Sequence, residues 1–314
     1  SSFKVIMPSE LELHYREQKM PNLVEITQEG DETHYRWQVK NMKAPTSVPA
    51  GPPTQERFPR VYLRPSKFEC EGYSGSLDSW NTMGKWQHSL MEGRDRLTEE
   101  QKAQVQKLIS GADNDVEKVR RIYEHLQANT RYVSVQLGIG GWQPFPATYV
   151  AENGYGDCKA LSNYTVALLK EAGIKAHYAL VRAGRRKAPI LSDFPSRQFN
   201  HVIACAIVES DTVWLECTSQ TNPFGYLGRF TGDREVLLIK EEGSHLVHTP
   251  KYRARHNLQH RKATVQLAPT GAARVEVEAL YTGLQQDRYA RYLRESDKEQ
   301  KKWLLKHFQV PRYD

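Results

Sequence analysis

The sequence is short of cysteine: four in 314 residues (Cys70, Cys158, Cys205 and Cys217), with no two spaced as CxxC. That spacing excludes a disulfide framework and the paired ligands of a structural zinc site, while leaving one disulfide open. No apolar run approaches the ~18 residues a membrane helix needs, so no membrane insertion is expected. There is no zinc-finger spacing, no aromatic RNA-binding signature and no internal repeat of about 20–50 residues. The net charge of +7 permits acidic partners without demanding nucleic acid, and no nucleic-acid partner is expected. No signal peptide is present; Ser1-Ser2 reads as a processed or engineered start, which says nothing of localisation. What remains, 39% hydrophobic and 26% charged, fits a soluble globular protein with room for two or three domains.

The patterning is α+β. In residues 1–75, Phe3, Val5 and Met7 alternate as a strand does, and so do residues 34–39. Five prolines between Ala44 and Pro59 predict an extended crossing rather than a helix, and Val61–Leu63 resumes a strand. Residues 76–130 read as helical. Thr98 precedes Glu100 and Gln101 with Val105, Leu108 and Ile109 as the apolar face, closed by Gly111. Asp113-Asn114-Asp115 offers an N-cap to a helix bearing Val116, Val119, Ile122, Tyr123 and Leu126. A short strand at 131–135 enters the turn Gly138–Gly141. No GK[ST] follows those glycines, which argues against a phosphate loop. A helix over 157–172 carries Leu161, Tyr164, Thr165, Leu168 and Leu169 on one face and stops at Gly173. Strands are predicted at 175–182, 199–208, 212–217 and 236–239. Residues 263–267 and 274–281 read as an antiparallel pair, and Gln285–Phe308 as one amphipathic helix. Three regions follow: a β-rich region at 1–75, a central core at 76–244, and a β module with a helix at 245–314 that ends before its natural terminus.

A thiol acyl-transfer site needs a sulfur nucleophile, an imidazole and a group that orients the imidazole. Cys158 follows Gly156-Asp157 at the first turn of its helix, where free N–H groups and the dipole favour a thiolate. The alternative is a buried small hydrophobe, although polar Asp157 and Lys159 beside it are unusual for a core cysteine. His201 lies in the predicted strand 199–208, with His177 on the preceding strand as its nearest rival. The turn at 209–211 folds the next strand back and sets Glu216 opposite residues 201–204. Asp211, in the turn itself, would lie over ~20 Å from His201 at ~3.3 Å per residue. Glu216 is thus the orienting candidate, and an exposed strand carboxylate is the alternative. Trp142 and Gln143 could donate to an oxyanion, or Trp142 could simply anchor its loop.

On these residues the chain resembles the bacterial transglutaminase-like superfamily, which shares its core with papain-type thiol enzymes. The resemblance rests on residues 131–135, Gly138–Pro144, Gly154–Lys159, Phe199-Asn200-His201, Trp214-Leu215-Glu216 and Pro223-Phe224-Gly225. It covers about 100–240, and more weakly the N-terminal region, which is similar to the tail of a β domain preceding this core in cell-envelope members. It implies a helix-borne Cys packed on an antiparallel sheet, with Cys158 as nucleophile, His201 as base and acid, and Glu216 in the acidic position. Two residues depart from the pattern: Glu216 stands where Asp is usual, and Ala160 where Asp is common. The implied activity is hydrolysis or transamidation of peptide-like amides through a Cys thioester. The implied substrates are peptides or proteins, cell-wall peptide among them, in a periplasmic or secreted setting. No cofactor or metal is expected. The alternative is a non-catalytic envelope-binding module with a vestigial triad. Cationic Arg185, Arg186 and Lys187 would rim the cleft and favour acidic substrates. An iodoacetamide-reactive thiol that disappears in Cys158→Ala is the expected outcome; ordinary thiol reactivity at neutral pH would contradict it.

Overall fold

A computed structural model describes residues 1–308 apart from Pro45, Ser47, Ala50, Pro53, Arg186, Arg291, Leu293 and Arg294. The N-terminal strands β1 (Ser2–Pro8), β2 (His14–Gln18), β3 (Glu25–Glu29) and β4 (Glu32–Gln38) follow the alternation in the sequence. β1, β4 and β3 form one antiparallel sheet in that order, whose buried residue Trp37 stacks on Phe3 and Tyr35. A helical turn, α1 (Thr54–Arg57), interrupts the proline-rich stretch predicted to be extended. No proline occupies 54–58, so nothing there removes a backbone donor. β5 (Arg60–Arg64) pairs with β2, and β6 (Lys67–Cys70) with β7 (Tyr73–Ser76).

Three helices follow: α2 (Trp80–Ser89), α3 (Glu99–Ile109) and α4 (Asp115–Asn129). Each begins on a side chain that accepts from its first turn: Ser79, Thr98 and Asn114. β8 (Arg131–Tyr132) pairs in parallel with β9 (Tyr155–Gly156), bracketing α5 (Ala147–Asn153). Gly154 ends α5 in the left-handed conformation, with φ +66°. α6 (Cys158–Glu171) then enters the middle of the molecule, with every residue from Cys158 to Leu169 buried. Helices α3, α4 and α5 cover one side of it, while its other side packs on a five-stranded sheet.

That sheet holds β10 (Lys175–Val181), β11 (His201–Val208), β12 (Asp211–Leu215), β13 (Glu235–Ile239) and β14 (His245–His248). It is antiparallel throughout, in the order β12-β11-β10-β13-β14. A helical turn, α7 (Gly228–Thr231), precedes β13. Beyond the sheet, β15 (Gln259–Leu267) and β16 (Ala273–Tyr281) form a hairpin exposed along nearly its whole length. The single helix predicted over 285–308 is not found. A 3-10 turn at Gly283–Arg288 comes first, and α8 (Asp297–Phe308) starts only after Ser296. The Tyr226 hydroxyl donates to Gly283 O at 3.0 Å and to the Asp287 carboxylate, which ties that turn to the core.

Helix α2 reaches the sheet through Gly84, where an added Cβ would overlap the Cβ and Oγ of Ser244. Gly84→Ala would raise helix propensity by ~1 kcal/mol, yet forcing a methyl into a packed contact costs about 1–3 kcal/mol. The variant is therefore expected to be less stable in urea unfolding; a more stable one would contradict this close approach.

Candidate active site

The start of α6 is fixed by Asp157, whose Oδ1 accepts from Ala160 N–H at 2.9 Å. Its second oxygen pairs with Lys159, and both charges are buried. Gly156 leaves room for this turn, since an added Cβ would stand 2.9 Å from Ala160 Cβ. Cys158 thus occupies the first helical position, 4% exposed, with its N–H among the donors that α-helical geometry leaves unpaired. The other two buried thiols, Cys205 and Cys217, are pushed up to about 12 by burial, and all four cysteines are free.

The hairpin of β11 and β12 brings in the other two groups. Ala204 faces Leu215 and Val208 faces Asp211, so one residue beyond Leu215 the chain is level with Ile203. Glu216 and His201 therefore share one face at the open end of the hairpin, while Asp211 sits at the closed end. His201 Nε2 lies 3.0 and 3.3 Å from the two Glu216 oxygens. The carboxylate is 2% exposed and fully partnered. Thr218 Oγ1 donates to Oε1 at 2.6 Å and Thr218 N–H at 3.3 Å, while Thr231 Oγ1 on α7 donates to Oε2 at 3.1 Å. Tyr123 OH on α4 donates to the Glu216 carbonyl at 3.2 Å. With Nε2 taken by Glu216, Nδ1 is the ring nitrogen left free, and Cys158 is among the groups near enough to the ring to favour its charge. The exposed Phe230 ring stands edge-on to the imidazole, with centroids 5.1 Å apart. His177 is opposite Cys205, four residues along the strand from His201 and roughly 13 Å away.

Burial opposes a charge on His201. The Glu216 carboxylate and the hydrogen bonds with Cys158 and Glu216 outweigh it and raise the imidazole from 6.5 to about 10. Burial likewise pushes Glu216 up, but the His201 charge and the hydrogen bonds from His201 and Thr218 prevail, leaving it below its ordinary 4.5.

Trp142 packs on the apolar cluster that contains Cys158, and its ring is edge-on to Trp86 at 5.2 Å. The Gln143 amide donates to Tyr73 OH at 3.3 Å. On the 183–198 loop, Arg185 lies 3.7 Å from Asp287 and Lys187 is exposed, while Arg186 is outside the described residues. Sequence reasoning missed Thr218, Thr231, Phe230 and Tyr178. Only Thr218, two residues from the carboxylate, carried a local signal, that of a hydroxyl placed to close a short turn. Tyr178 is 1% exposed and packs in the Cys158 cluster; among the described residues its hydroxyl finds no partner. Burial, then the neighbouring Cys158 and Asp157, hold that phenol well above its ordinary range.

A helix-borne cysteine set against an antiparallel sheet that supplies a histidine and a carboxylate is the layout of a papain-like core. Residues 102–223 match the Transglutaminase-like superfamily. Residues 1–46 match a domain of unknown function, DUF3857. Among solved structures the chain is similar to a candidate protease from Parabacteroides distasonis ATCC 8503. Identity is 17% and the TM-score 0.54, over 86% of this chain and 51% of that one. It is also similar to a candidate cysteine protease from Cytophaga hutchinsonii, at 12% identity and TM-score 0.34, over 88% and 80% of the two chains. No curated protein matches. The chain spans about half the length of the Parabacteroides protein, and that likeness speaks to the fold alone.

The raised imidazole contributes stability in full below pH 6.5 and loses it as pH climbs through about 10. The depressed carboxylate contributes above pH 4.5 and loses it as acid lowers the pH through its folded value. In urea unfolding, the stability gap between wild type and His201→Gln/Glu216→Gln is expected to be widest between pH 4.5 and 6.5 and to narrow toward pH 10. A gap that stays constant from 6.5 to 10 would contradict a charged pair.

Proposed function

We propose that Cys158, His201 and Glu216 form a thiol acyl-transfer centre acting on peptide-like amides. The observation that carries this reading is the occupation of His201 Nε2 by Glu216, which leaves Nδ1 for the sulfur. With the thiol proton already on Nδ1 the pair is charged, and the sulfur attacks the amide carbonyl carbon, forming a C–S bond. The C–N bond then breaks and the amine leaves with the proton from His201. Water attacks the thioester carbonyl, giving its proton to His201, and the sulfur departs with the C–S electron pair, which restores the charged pair. An amine in place of water gives transamidation. Hydrolysis is preferred because a water acceptor needs no second dedicated site. The Cys158 N–H at the helix start is the oxyanion donor by position. The family resemblance extends the proposal to cell-wall peptides as substrates in a periplasmic or secreted setting.

A second reading, a non-catalytic binding module, has the low exposure of Cys158 and His201 in its favour, 4% and 9%. Incubation with labelled peptide, peptidoglycan and amine libraries separates the two. A mass adduct on Cys158 that disappears in Cys158→Ala is expected, and absence of any adduct would favour the binding module. Glu216→Ala is expected to lower turnover by about 10²–10⁴, the range for losing a well-placed proton-transfer system. An unchanged rate would remove Glu216 from the centre.

A further inference from the structure

Arg197 is exposed, four residues before His201 on the loop between β10 and β11. Its guanidinium carbon lies 4.6 Å over the Trp142 ring. Trp142 and Phe199 both pack on the cluster that holds Cys158, and Phe199 is braced by Trp80 at 5.4 Å between centroids. The arginine therefore stands at the rim of the cysteine site. Its loop is pinned on both sides. Gln198 accepts from Leu191 N–H at 2.7 Å and donates to Phe194 O at 2.8 Å, and Asn200 accepts from Ala183 N–H at 2.7 Å.

Three other arginines that meet this loop or lie on it already have carboxylates. Arg16 pairs with Asp193, Arg64 with Asp78 at 3.8 Å, and Arg185 with Asp287 at 3.7 Å. Among the described residues Arg197 forms no such ion pair; its one contact of this kind is the indole face. A guanidinium lying on an aromatic ring has its orientation set while its edge N–H donors, which suit the two oxygens of a carboxylate, stay free. We propose that Arg197 is a specificity-determining residue that binds a carboxylate on the acyl donor. That carboxylate is either an acidic side chain beside the scissile amide or a free terminal carboxylate. This rests on the reading of Cys158 as the nucleophile, because Arg197 is placed relative to that site.

Two measurements test it. In the Cys158→Ala protein, calorimetric binding is compared for a short glutamate peptide and its glutamine counterpart, each with a free or amidated C-terminus. At least one carboxylate form is expected to bind about fivefold or more tightly than the uncharged peptide, and Arg197→Gln to erase the difference. Arg197→Lys should restore part of it, since the charge returns without the fork. The free-acid and amide arms separate the two sources of carboxylate. Equal binding, no binding, or a preference that persists in Arg197→Gln overturns the proposal. In the protein with Cys158 intact, alkylation by iodoacetate and iodoacetamide is compared; each forms the same C–S bond and releases iodide. The ratio of the iodoacetate to the iodoacetamide rate is expected to fall about fivefold in Arg197→Gln, and less in ~1 M salt. An unchanged ratio counts against Arg197. Failure of both reagents to label Cys158 counts against the thiol centre instead, and the peptide measurement then judges Arg197 by itself.

Discussion

A carboxylate removed from water costs several kcal/mol unless partners replace its hydration, and the surroundings of Glu216 follow from that cost. Four donors converge on its two oxygens: the His201 ring, the Thr218 hydroxyl and N–H, and the Thr231 hydroxyl. They come from β11, from the segment after β12, and from α7, so three parts of the chain must dock before the charge is satisfied. With the carboxylate held, the imidazole loses its rotational freedom and one nitrogen is committed. Thr231 on α7 reaches the second oxygen of the carboxylate at 3.1 Å.

The opposite side of the site is built by burial rather than charge. Helix α6 is enclosed by three helices and a sheet, which fixes the position of its first residue as firmly as its core leucines. Ser162, one turn after Cys158, donates to Val202 O at 3.3 Å, so helix and histidine strand are tied next to Cys158 and His201. Polar groups that would otherwise be stranded inside are used locally: Asp157 caps the helix and neutralises Lys159. The sulfur meets the imidazole because two separately rigid elements end at the same place.

Much of this was legible in the sequence because the signals are local. The short turn at 209–211 and the alternation on either side fix the register that sets Glu216 near His201 and Asp211 far from it. Asp157, Thr98 and Asn114 announce helix starts, and Gly173 a helix end with φ +77°. What escaped depends on residues distant in the chain. The helical period from 285 onward is real, but Tyr226 captures Asp287 and holds the first turn as 3-10. Gln143 has a donor in a suitable turn, yet Tyr73, seventy residues earlier, receives it. Neither the stack of Arg197 on Trp142 nor the buried Tyr178 hydroxyl has any sequence period to reveal it.

The central claim is that His201 is held as a cation between Glu216 and Cys158. Nitrogen NMR of the ¹⁵N-labelled His201 ring tests it most directly. The account predicts that both ring nitrogens carry protons at about pH 8 and that the ring titrates near 10. A ring that is neutral at about pH 8 and titrates near its ordinary 6.5 would contradict it.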